Sequence, residues 1–300
     1  MRRRWPPRDT PGCVARTVSA RCPGPFAAST SHDPADVSTS YLPPLDQLLT
    51  LGEPEFGHRR PWLDYLAMGF TAEHVPELLR MVFDEALAPD SGGLLRDDVE
   101  PQWFAYIHAW RTLGLLRADA AIPPLVEFLE ADNDWAHEEL PVVLGMIGPA
   151  AFEPLRAALA RTSLALEPWA AASAANGLVE IAQRFPETRD AVVAALTRQL
   201  RWWGRHEPVL NTMLIHDLVE LNAVEAAPVI EEAFAAGNVE TENEEDWEDV
   251  QVALGLLRER ITPKPPYVPR RRLSPTPTRG PKKPWQTAGK SGRRRKGKRR

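Results

Sequence analysis

The stretch Trp103–Leu129, WFAYIHAWRTLGLLRADAAIPPLVEFL, decides how the chain is read, because the chain goes on to repeat it. Residues 135–159, WAHEELPVVLGMIGPAAFEPLRAAL, follow the same plan: Leu113-Gly114 returns as Leu144-Gly145, and Leu125 as Leu155. A period of about 31 residues marks an array in which one helix pair stacks on the next. In the first copy the apolar spacing predicts helices near 103–116 and 120–130. Asp119 is expected to accept backbone N–H bonds where the second helix starts, and Pro123 is tolerated there because the first N–H groups have no helical acceptor. In the second copy Pro141 removes one internal hydrogen bond and should bend its helix, while Pro149 opens the partner helix.

The plan continues outward in both directions. Downstream, residues 169–181 and 188–203 read as one pair, and 209–221 as the first helix of another. AVEAAPVIEEAF (223–234) then echoes ADAAIPPLVEF (118–128), and a last helix is expected over 247–261. Upstream, Leu45, Leu48, Leu49 and Leu51 predict a short helix. Thr71 is an N-cap with His74 where a capping box prefers Glu or Gln, and Val75, Leu78, Leu79, Val82 and Phe83 share one helix face. The Pro-, Gly- and Asp-rich segment 88–101 reads as a loop. The expectation is an all-α chain, an α–α superhelix of about five helix pairs over residues 41–262, between disordered segments 1–40 and 263–300.

Composition sets the electrostatics. The apolar share of 43% supports a substantial core, and no run approaches a membrane span. The net charge of −5 conceals a strong polarity: residues 1–40 carry +3, residues 41–262 carry −23 with no lysine, and residues 263–300 carry +15 with no acid. Both cysteines, Cys13 and Cys22, lie in the first segment, which fits a reducing compartment and no disulfide framework. The start MRRRWPP lacks the apolar run of a secretory signal, so a cytoplasmic protein is expected, and a start placed upstream of the true one would give the same composition.

Candidate sites are few. His137-Glu138-Glu139 resembles the beginning of a zinc-binding HExxH helix, but the second histidine position is Pro141, so no metal is expected. His216-Asp217, with Asn211 and His206 nearby, offers acid–base groups. Neighbouring helical residues point about 100° apart, so convergence is not expected. Trp103, Trp110, Trp135, Trp169, Trp202 and Trp203 recur from pair to pair and are expected mostly to wedge between repeats. Trp103 and Trp110, with His108 and Arg111, are the candidates for anchors in a binding groove. The acidic run Glu240–Asp249 lacks the spacing of a calcium loop and reads as a solvated cap on the end of the stack. The tail has the composition of a polyanion-binding arm, through Arg270, Arg271, Arg272, Lys282, Lys283, Arg293, Arg294, Arg295, Lys296, Lys298, Arg299 and Arg300. A tail that folds back on its own acidic body is the competing reading.

With its repeats laid out, the body resembles bacterial HEAT-like repeat proteins of the PBS-lyase-HEAT-like kind, including a family defined only as a domain of unknown function. The stretches that carry this are WLDYLAMGFTAEHVPELLRMVFDE, HAWRTLGLLRADAAIPPLVEFLE, DWAHEELPVVLGMIGPAAFEPL, and NTMLIHDLVELNAVEAAPVIEEAFAAGNVE with DWEDVQVALGL, within about residues 61–257. The resemblance implies an α–α superhelix without assigned catalytic residues. Some similar proteins end in a zinc-binding SEC-C segment. GKSGRRRKGKRR stands in its place here without a cysteine, so neither zinc nor another cofactor is expected.

Together these features point to a non-enzymatic scaffold or adaptor for a protein partner. The second expectation is a nucleic-acid- or ribosome-associated protein acting through the tail. An enzyme on a HEAT-like fold, a base glycosylase or a lyase, is the third, and a lysine-free body at −23 argues against a DNA-gripping groove.

Overall fold

The computed structural model describes residues 41–55, 61–87, 100–131, 133–165, 168–240 and 246–264. Among them the chain is all-α. A single helix, α1 (Val75–Val82), leads into four regular pairs. These are α2 (Ala105–Leu115) with α3 (Ile122–Phe128), α4 (Asp134–Ile147) with α5 (Phe152–Thr162), α6 (Trp169–Arg184) with α7 (Arg189–Leu200), and α8 (Pro208–Glu220) with α9 (Ala227–Ala235). The stack ends on α10 (Trp247–Ala253). First helices pack in one row, α2 on α4, α4 on α6 and α6 on α8; second helices pack in another, α3 on α5, α5 on α7 and α7 on α9. This is the α–α superhelix the period implies. The irregular first pair contributes one α-helix and short 3-10 turns.

The repeat shows most clearly in its turns. Before each second helix the chain makes a 3-10 turn: Asp119–Ala121, Pro149–Ala151, Pro186–Thr188 and Val224–Ala226. Each is closed by one backbone bond, Ala121 N to Ala118 O at 2.8 Å and its counterparts from Ala151, Thr188 and Ala226 at 2.9 Å. Asp119 is therefore not the cap expected of it; the turn's own backbone starts α3, with no side-chain cap. At Thr71 the unusual capping residue works: Thr71 N donates to His74 Nδ1 at 3.0 Å, so an imidazole fills the carboxylate's place.

Leucine and glycine mark the crossings. Leu113, Leu125, Leu144, Leu155 and Leu178 are fully buried along the seam. At Gly145 a Cβ would stand 2.5 Å from Glu180 Cβ, so only glycine lets α4 approach α6 this closely. Pro141 is also accommodated by the neighbour. Lacking an N–H, it leaves the carbonyl of His137 without its helical donor. Ser173 Oγ on α6 donates to that oxygen at 3.3 Å.

The tryptophans divide into two sets. Trp110 is wholly buried, and Trp135 and Trp203 pack against the core. Trp169 and Trp202, by contrast, are about half exposed, so wedging between repeats is not their role. The tail cations from Arg270 to Arg300, segment 1–40 with its cysteines, and Glu242, Glu244 and Glu245 of the acidic run lie outside the described residues.

Candidate functional site

The residues that composition and spacing nominate as groove anchors are mostly core. His108, Trp110 and Arg111 are 1%, 0% and 3% exposed, and Trp103 is half-buried, so the first three do not line an open groove. The physical reason is the segment before α1, which lies over this part of α2. His108 Nε2 donates to Gly52 O at 2.8 Å, and its Nδ1 accepts from the Tyr65 hydroxyl at 2.7 Å. Arg111 Nη2 donates to Glu55 O at 3.0 Å, and its guanidinium stands 4.9 Å from the Trp62 ring centre. The same guanidinium pairs in bidentate fashion with Glu139 of α4, through Nε at 2.8 Å and through Nη2. Trp110 Nε1 donates to Glu139 at 3.1 Å. Burial pushes the His108 imidazole down to about 4 and the Tyr65 hydroxyl up to about 12, so both are neutral around pH 7. This is a structural clasp that fastens the N-terminal segment to α2 and α4.

The open site lies elsewhere on the first-helix row. A groove of about 660 Å³ runs across α4, α6 and α8. Each helix contributes positions three and four residues apart: Asp134, His137 and Glu138 from α4; Trp169, Ala172, Ser173 and Asn176 from α6; Met213, His216, Asp217 and Glu220 from α8. His216 and Glu220 also line a smaller adjoining hollow that reaches Asp249 and Val250 on α10, so the concavity continues to the last helix. His137-Glu138, set aside as a metal helix for want of a second histidine, and His216-Asp217, whose adjacency argues against convergence, thus face one groove. His206 and Asn211 do not join them. They bond to each other at 2.9 Å in a separate buried cluster with Gln199 and Trp203 O.

Asp217 is the unusual group in this groove. It is 7% exposed, and its Oδ2 has no hydrogen-bond partner. Burial, reinforced by Glu220 and opposed by Asn176, pushes its carboxyl up to about 8. The folded chain therefore holds a proton that the unfolded chain releases near pH 4, so stability should fall as pH rises from about 4 to about 8, by at most about 1.4 kcal/mol per unit. Asp217→Asn should remove this slope. Relative to the parent, it should gain stability at about pH 9 and little at about pH 5 in urea denaturation. An equal effect at both pH values would contradict the raised carboxyl.

Ser173 Oγ reaches the His137 carbonyl at 3.3 Å and stands 3.2 Å from His137 Nδ1. No three His, Cys, Asp or Glu side chains among the described residues are grouped to hold a metal ion. The groove does present Asp134, Glu138 and Glu220 at its surface, with Trp169, 47% exposed, beside them.

No family model matches the chain, and no curated protein or solved structure does so either. Among the described residues no single helix is long and apolar enough to cross a membrane. The fold and groove together define the class, an α-helical repeat protein with an acidic groove on its first-helix row.

Proposed function

We propose that this chain is a non-enzymatic scaffold of the HEAT-like kind, which receives an arginine- or lysine-rich segment of a partner protein in the acidic groove. The observation that carries this reading is the set of exposed acids, Asp134 and Glu138 on α4 and Glu220 on α8, with the half-exposed Trp169 of α6 in the same groove. A guanidinium fork suits these carboxylates, and Trp169 supplies an aromatic face for a cation in the same groove. A folded nucleic acid would meet repulsion here.

The test uses fluorescein-labelled nona-arginine and the full chain, read by anisotropy at low salt. Binding should weaken as salt is added. The variant carrying Asp134→Asn, Glu138→Gln and Glu220→Gln should bind about tenfold more weakly, since three rim charges at roughly 0.5 kcal/mol each make about one decade. An unchanged Kd in the variant, or no binding at low salt, would sink the reading.

A further inference from the structure

The groove opens toward the point where the chain leaves the described fold. Arg260, on the segment after α10, reaches back to the acidic run: its Nη1 and Nη2 pair with Asp246 at 2.7 and 2.8 Å, and Nη1 also pairs with Asp249 at 2.6 Å. Glu248 accepts the backbone N–H of Ile261 at 2.7 Å. These contacts hold the segment Arg260–Thr262 against the start of α10. Lys264, the last described residue, stands 3.9 Å from Asp249. Asp249 lines the hollow that shares His216 and Glu220 with the main groove. The chain thus departs at one end of an acidic channel with its first lysine already on a channel carboxylate.

The tail beyond Lys264 is complementary to that channel in charge. Residues 265–300 hold 14 Lys or Arg and no acid, while residues 41–262 carry −23. Distance is no obstacle. From α10 to α4 is three helix spacings, about 30 Å at about 10 Å each. Lys282 lies 18 residues beyond Lys264, enough chain to span about 60 Å when extended.

We propose that the basic segment Arg270–Lys283 of the same chain lies in the groove, its cations opposite Asp134, Glu138 and Glu220, so that a partner's basic segment must displace it. This rests on the reading of the groove as a seat for basic peptide. The tail is then a built-in competitor, and the partner's affinity is set by exchange against it rather than by binding to an empty channel.

The sequence provides its own probe. Every lysine of the chain lies at 264 or beyond, so, the α-amino group apart, any zero-length carbodiimide link between an amine and a carboxylate reports where the tail sits. The full-length chain is mixed from ordinary and nitrogen-15-labelled stocks, cross-linked at low and high salt, and digested for mass spectrometry. Links from Lys282 or Lys283 to Asp134, Glu138 or Glu220 within one chain, lost at high salt and reduced several-fold by excess nona-arginine, are the expected result. Links confined to Asp246–Asp249, links only between differently labelled chains, or none to the groove would overturn it. The two readings separate cleanly. Peptide binding that depends on the groove acids, without tail links, leaves the groove a seat for partners alone. Tail links without measurable nona-arginine binding would make it a seat for the tail alone.

Discussion

Glu139→Ala is expected to destabilise the fold by roughly 3–5 kcal/mol, because it strands a buried cation. Glu139 is fully buried and takes bonds from Arg111 and Trp110, and its loss leaves both without that acceptor. Arg111 is held by Glu55 O as well, so its guanidinium cannot swing to solvent without pulling the covering segment with it. Glu139→Gln, which keeps the shape and one acceptor, should cost less. Equilibrium unfolding in urea measures both. A loss under about 1 kcal/mol for the alanine variant would mean that water reaches Arg111 and that the clasp is not closed.

Leu113→Ala and Leu144→Ala carry the next largest effect, roughly 2–5 kcal/mol each. The two leucines occupy the same place in successive first helices and are both fully buried. Each truncation opens a cavity between helices that glycine has already brought close, so little collapse can follow. Because the two sites sit in neighbouring repeats, their effects need not add. Losses well below 0.5 kcal/mol at both would show that the repeat register is wrong.

How much of the fold and of the groove is legible in the sequence depends on which interactions are local. The period that returns Leu113-Gly114 as Leu144-Gly145 is a near-neighbour property, and it leads directly to the two rows of helices. The capping role of His74 is legible for the same reason, being three residues from Thr71. Asp119 misleads because a 3-10 turn closed by backbone alone leaves no signature at that carboxylate. The burial of His108 and Arg111 is not legible, since Gly52, Glu55 and Tyr65 lie about 43–56 residues away in a segment without periodicity. The groove is an intermediate case. Its residues keep i, i+3, i+4 spacing on α4, α6 and α8, a second stripe beside the apolar one, and reading each helix for both faces exposes it. That rule relates residues three or four apart, whereas His216 and Asp217 are adjacent and flank the stripe. A groove broad enough to span several helices admits both.

Pro141 has a consequence for motion. The hydrogen bond that would have closed α4 on itself is made instead across the joint, from Ser173 of the next repeat to the His137 carbonyl. Opening that joint therefore uncovers a bare carbonyl inside α4 and loosens the helix as well as the contact. At this place the array does not behave as separable beads. The two central repeats are coupled there, through a bond that lies in the wall of the groove.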